Sequence, residues 1–230
     1  VQGHGNFGSS DYGPAAARSV FLEGLADRYA VIAANTGPGK PVPASQGAAP
    51  NVVINEIQYA PAGGDDAEFI ELTNPSATES VDISGWTVDG IGLTIQPGTV
   101  LLPGKQIVFV NNDKVFRTTY PAANRFVGGE FSGDLSNTGE TIRLVQGARV
   151  VDEVAYAATA PWPTAAAGTG PALELASPTA DNALPESWVA TSTVGGTPAA
   201  INTTVVPPPT PVLYSDSFTG ADGSPWASAW

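Results

Sequence analysis

The sequence predicts an all-β fold, and three observations predict it. Short runs rich in β-branched and aromatic residues recur between positions 51 and 202, and such residues suit a pleated, half-buried surface. Asp-Gly, Pro-Gly and Gly-Ala dipeptides separate the runs, supplying the turn chemistry that reverses a chain within a few residues. The chain also carries 26 Gly and 21 Pro, a content that favours turns over long helices. At 230 residues the length accommodates one or two domains, and a single β-sandwich fills about 150 residues of it.

Residues 1–13 form a Gly/Ser-rich lead-in without hydrophobic periodicity. Pro14 suits the first position of a helix, where its missing N–H costs nothing. From there to about Ala34 the pattern is helical: Phe21, Leu25, Tyr29 and Ile32 fall on one stripe, and Arg18, Glu23 and Asp27 lie away from it. Gly24 weakens such a helix by up to ~1 kcal/mol relative to Ala. A lone helix of this length is marginal in water, so the stripe is expected to pack on the β domain, on a preceding domain or on another chain. Residues 35–50, NTGPGKPVPASQGAAP, read as a semi-stiff Gly/Pro/Ala linker.

The central stretch is VVINEIQYAPAGGDDAEFIELTNPSATESVDISGW, Val52 to Trp86. Two strands, VVINEIQYA and EFIELTN, flank a polar loop at Pro61–Asp66. In the second, Ile70 and Leu72 share one face while Phe69, Glu71 and Thr73 share the other. Asn74-Pro75 ends it. TVDGIGLTIQPG gives two short strands around Asp89-Gly90, and QIVFVNN reads as a central strand with apolar residues on both faces. Residues 113–138 carry Phe116, Tyr120, Phe126 and Phe131 in an irregular pattern. TIRLVQ and RVVDEVAYA, joined at Gly147-Ala148, form an antiparallel hairpin with Val150, Val154 and Tyr156 on one side. ALELA, after a Pro/Ala/Gly loop, reads as the last short strand. Residues 203–212 are polyproline-like, and Val212-Leu213-Tyr214 with Phe218 reads as a strand-forming tail.

In the order INEIQY, EFIELTN, VDISGW, PGTVLLPGKQIVFVNN, LSNTGETIRLV, VVDEVAY, ALELASP and GTPAAIN, residues 51–202 resemble the bacterial lamin-tail-like domain family. The resemblance implies an antiparallel immunoglobulin-like β-sandwich, here of seven to nine strands, with an N-terminal helical arm (1–34) and a C-terminal strand-forming tail (213–230). It also implies that Trp188 and the Gly-Gly-Thr-Pro turn cover the sandwich end. RSVFLEGLADRYAVI resembles the last helix of spore-coat-H-like secreted kinases, and LYSDSFTGADGSPWASAW resembles the start of a laminin-G or concanavalin-like domain. Neither stretch carries a site residue over.

Composition bounds the chemistry. Net charge is −13, and residues 51–202 hold 17 acidic and 6 basic side chains, a balance that repels phosphate backbones and disfavours nucleic acid. Without Cys there is no disulfide framework, thiolate nucleophile or zinc–thiolate site. The chain also lacks Met, and reads as a piece of a longer product. No run reaches the ~20 apolar residues of a membrane span, and Glu23 interrupts the segment around Phe21-Leu22, which does not read as a signal peptide. His4 is the single histidine and lies in the Gly-rich lead-in, where nothing orients it as a catalytic base.

Carboxylates are the remaining functional groups. Asp65, Asp66 and Glu68 crowd the first loop, with Glu56 and Glu71 on the strands either side. The loop reads first as a solvated acidic loop; it also has the oxygen ligands of a calcium site, without the spacing of a helix–loop–helix calcium motif. No other cofactor is expected. Asp152 shares the inward side with Val150 and Val154, so it is expected to tie down a loop or to pair with Arg143. Trp86 is expected in the core, with Trp162 and Trp188 capping the sandwich ends.

No constellation reads as catalytic. The resemblance implies a non-enzymatic extracellular or cell-surface module for tethering, adhesion or spacing in a secreted bacterial multidomain protein. Its partners would be other protein domains, copies of itself through the terminal arms, or an extracellular polymer. The alternatives are a head-to-tail assembly subunit built through those arms and, third, a polysaccharide-active enzyme using a carboxylate pair.

Overall fold

The computed structural model describes residues 14–37, 40, 49–123 and 127–202, with the side chains of 14–21 and 23 outside that description. His4, the Phe21 side chain, the Pro-rich linker at 203–212 and the expected strand at 212–218 lie outside it. Among the described residues the expected helix forms as α1, Pro14–Ala34, and on its surface Tyr29 and Ile32 are exposed.

The β domain opens with VVINEIQYA. Its β-branched residues make β1, Val53–Gln58, which pairs antiparallel with β2, Phe69–Thr73. The QIVFVNN run supplies β7, Gln106–Val110, on the other side of β2. The chain between contributes four short strands: β3 (Val81–Asp82), β4 (Thr87–Asp89), β5 (Leu93–Thr94) and β6 (Val100–Leu101). After β7 come α2 (Asp113–Thr119), β8 (Val127–Glu130), the long hairpin of β9 (Gly139–Gln146) and β10 (Arg149–Ala157), then β11 (Leu173–Leu175) and β12 (Trp188–Ala190). They assemble into a six-stranded sheet, β12-β11-β1-β2-β7-β8, a four-stranded sheet, β10-β9-β4-β5, and a small β3-β6 pair. The architecture is that of an immunoglobulin-like β-sandwich.

Among the described residues twelve strands form where the sequence predicts seven to nine. Segments of two or three residues close ladder pairs that are too short for an alternating pattern to reveal them. One consequence is that ALELA is not the last strand: β12 adds to β11 with Leu175 opposite Trp188.

The sandwich core joins Ile54, Ile57, Ile70 and Leu72 of the larger sheet to Val88, Ile142, Leu144 and Val154 of the smaller one, with Trp86 beside them. Each fully buried aliphatic side chain contributes roughly 1.5–3 kcal/mol. Trp162 and Trp188, expected to cap the sandwich ends, are buried as part of this core, with ring centroids 6.0 Å apart. The Trp188 indole N–H donates to the Asn182 carbonyl at 2.9 Å, satisfying its one polar atom.

The segment expected to be irregular, 113–138, contains α2 and β8. Asn112 caps α2, its side chain accepting from the Val115 amide at 3.1 Å, and Arg117 pairs with Asp113 one turn away at 2.8 Å. At seven residues the helix is too short to show a period. It is held by burial of Phe116 against Phe69 and Tyr120. It also carries the chain across so that β8 joins β7 in parallel, a pairing that requires such a crossover. The sandwich is therefore antiparallel except at this edge.

β10 departs from its expected alternation. A bulge between Val150 and Asp152 turns Val150 to solvent and packs Val151 against the core. Asp152 ties down a loop, as one of its two expected roles has it. Its Oδ2 accepts from the Ile54 amide at 2.6 Å and from the Asn182 side chain at 2.7 Å. The pairing with Arg143 does not form, because Arg143 lies opposite Glu153 in register and bonds to it. The bulge and the carboxylate also blunt this nine-residue edge strand against further pairing. Asp152→Ala is expected to lower unfolding free energy by about 2–3 kcal/mol in urea titration, since it strands a buried amide. Glu153→Ala, which removes a half-exposed ion pair, is expected to cost under about 1 kcal/mol.

Candidate functional site

Both faces of the six-stranded sheet are covered. On its outer face the strands carry an unusual set of side chains. In register, Glu56 of β1 lies opposite Glu71 of β2 and opposite Glu174 of β11, and all three are fully buried. Directly opposed residues on neighbouring strands have Cβ atoms about 5 Å apart, so the three carboxyls form one row. A bulge between Ile54 and Glu56 brings Asn55 to the same layer. Its side-chain amide donates to Glu71 Oε1 at 2.8 Å and to Asn202 Oδ1 at 2.7 Å.

What covers this row is backbone. The segment after β12, Thr191 to Asn202, runs over it as a strap. The Thr197 amide donates to Glu56 Oε1 at 2.8 Å, its hydroxyl lies 3.2 Å from Glu56 Oε2, and the Ala199 amide donates to Glu71 Oε2 at 2.7 Å. Asn202 closes the strap by donating to the Leu175 carbonyl at 2.7 Å. The Gly-Gly-Thr-Pro sequence, expected to cover a sandwich end, lies on the sheet face because only glycine allows the approach. A Cβ on Gly196 would stand 1.9 Å from Glu56 Oε1, and one on Gly195 would stand 2.8 Å from the Tyr120 ring. Ala199 holds a left-handed φ of 60°, a strain of order 1 kcal/mol for a residue with a Cβ.

Electrostatics follow from this burial. Loss of solvent, and then the like charges of Glu71 and Glu174, push the Glu56 carboxyl well above the ordinary glutamate range, against the opposing pull of the Thr197 bonds. Burial pushes Glu71 up to about 8, offset in part by Asn55 and Ala199.

The acidic loop is divided by the structure. Asp65 and Asp66 stand in an exposed 3-10 turn, Asp65–Ala67. Glu68 is fully buried, its Oε2 accepting from the Leu135 amide at 2.8 Å. Burial, with the nearby charges of Asp65, Asp134 and Glu140, raises Glu68 to about 8. Asp65 lines a shallow cleft of about 320 Å³ with Ala60, Pro61, Asn137, Ala167 and Gly168. Among the described residues, no three His, Asp or Glu side chains are grouped to hold a metal ion. Sequence reasoning named Glu56 and Glu71 only as neighbours of this loop and did not reach Glu174 or the strap. The signal was an acidic residue at an outward position in each of three apolar strands.

The sandwich is thus an immunoglobulin-like domain with its polar row sealed rather than open. Its residues 45–158 match the family described as Lamin Tail Domain. The chain therefore contains a lamin tail domain, a structural, non-enzymatic immunoglobulin-like family, as the ordered motifs implied. No curated protein and no solved structure gives a significant match. No helix among the described residues is long and apolar enough to cross a membrane.

The raised carboxyls set a pH dependence. A carboxyl whose folded pKa lies above its unfolded value binds its proton more tightly when folded. Its stabilising contribution is present below about pH 4.5 and is lost as pH rises through about 8. The domain is expected to be more stable near pH 5 than near pH 9 in chemical denaturation, and Glu71→Gln is expected to flatten that slope.

Proposed function

We propose that this lamin tail domain is a non-catalytic module hung from the side of a longer secreted chain, serving to tether or adhere rather than to space other domains apart. The observation that carries the reading is the clasp between the start and the end of the domain. Asn55, near the start of β1, exchanges hydrogen bonds with Asn202, at the end of the strap. Pro50, just ahead of β1, is held by Arg149, whose guanidinium donates to its carbonyl at 3.3 Å. The strap meets Glu56 at Thr197, Glu71 at Ala199 and Asn55 at Asn202. In the side-hung reading, chain entry and exit lie at one pole. A domain joined this way adds little to the contour length of its parent and projects its opposite pole outward. An in-line spacer needs its two linkers at opposite ends.

The stretches at 35–50 and 203–212, which read from the sequence as a semi-stiff and a polyproline-like linker, fit attachment at that pole. The acidic surface favours a partner that is protein or a cationic polymer over nucleic acid. Residues such as Tyr29 and Ile32, exposed on α1, favour a second reading in which arms pair copies of the chain. Light scattering of the intact chain separates the two: a monomer with and without calcium supports the module, and defined oligomers support assembly.

The side-hung geometry has a direct test. The chain has no Cys, so Asn51→Cys and Ile201→Cys place two spin labels at the exposed ends without background. Four extended residues separate Asn51 from Asn55, about 13 Å. The expected result is one narrow distance below about 25 Å, allowing for the label arms. A distance beyond about 35 Å would put the linkers at opposite poles and overturn the reading.

A further inference from the structure

We propose that the part of the strap from Gly195 to Asn202 is a reversible closure, locked over Glu56 and Glu71 while they hold protons and released when they ionise. The observation is the juxtaposition of three fully buried glutamates on adjacent strands, two of which, Glu56 and Glu71, are covered by backbone amides of the strap. The clasp of Asn55 and Asn202 belongs to the same strap, so the inference deepens the side-hung reading and rests on it.

The groups facing the row are these. Glu56 comes from β1, Glu71 from β2 and Glu174 from β11. Tyr120, following α2, closes the seam, with its ring against Gly195 and its hydroxyl donating to the Ala67 carbonyl at 2.9 Å. The charges acting on Glu56 and Glu71 are those of neighbouring glutamates, of like sign. Two adjacent carboxylates in a water-poor layer repel strongly. Lifting the strap admits water to the row and relieves that repulsion. The closed form contributes the opposing bonds of Thr197, Ala199 and Asn202.

The strap is also built to move as a unit. Gly195 and Gly196, with φ of 91° and 72°, supply a hinge at its start. The left-handed Ala199 is strained only while closed. Beyond the strap's own contacts, the sandwich core does not depend on it: Ile54, Ile57, Leu173 and Leu175 point to the opposite face of the sheet.

Linkage gives the size. A single group titrating near 8 when closed and near its ordinary value when open shifts the open-to-closed ratio roughly 250-fold between about pH 5.5 and about pH 9. The test uses the full chain with spin labels at Ala200→Cys on the strap and Thr94→Cys on the far sheet, both exposed. At about pH 5.5 one narrow distance is expected. At about pH 9 a second, longer and broader population is expected, reversible on acidification, with the emission of the buried tryptophans unchanged.

Glu56→Gln/Glu71→Gln, which mimics the protonated pair, is expected to stay closed at both pH values, and Glu71→Gln alone serves if the double variant does not fold. An unchanged wild-type distribution at about pH 9 overturns the proposal, as does loss of the tryptophan signal together with the strap. The side-hung reading fails separately, through a long 51–201 distance at about pH 5.5.

Discussion

A sheet covered on both faces has no solvent in which to leave a polar side chain, and the bonds from strap amides to Glu56 and Glu71 are the constraint to which the rest of this domain answers. A buried carboxyl without partners costs several kcal/mol. Here two of them draw the backbone of Thr197 and Ala199 onto the sheet. That approach in turn requires Gly196, imposes a left-handed turn on Ala199 and brings Asn202 to Asn55. The position of the chain's exit follows from where the glutamates lie.

The outer face is divided in two by chemistry. On the β2–β7 side it is apolar, and Phe69, Val108 and Val110 are covered by the side chains of Phe116 and Tyr120. On the β1–β11 side it is polar and covered by peptide groups. Tyr120 stands at the seam, its ring in the aromatic cluster and its hydroxyl spent on the Ala67 carbonyl. Each half of the cover matches the half-sheet beneath it, apolar on apolar and donor on acceptor. On the opposite face the bulge of β10 and the inward bond of Asp152 fasten the two sheets along their open side.

The family match ends at residue 158, yet β11 and β12 lie beyond it and add to the larger sheet, with the strap laid over its face. Two of the domain's buried carboxyls, Glu56 and Glu71, are committed to its own backbone.

Much of this was legible in the sequence because it is local. The β1–β2 hairpin, the inward Ile70 and Leu72, the two-faced β7 and the β9–β10 hairpin follow from side-chain period and turn residues, which act within a few positions. The ordered motifs carried the fold class as well. Other features were decided only in three dimensions. α2 depends on burying Phe116 under Phe69, across 47 residues of chain, and the Val150 bulge depends on Asp152 reaching Ile54. The acidic loop read as one cluster because Asp65, Asp66 and Glu68 are near neighbours in sequence, whereas the turn exposes the first two and buries the third. Glu56, Glu71 and Glu174 are scattered in sequence and become a single row only through strand order. Sequence determines which faces each strand offers; the register between distant strands determines which side chains meet, because that pairing is settled by long-range packing and not by neighbours along the chain.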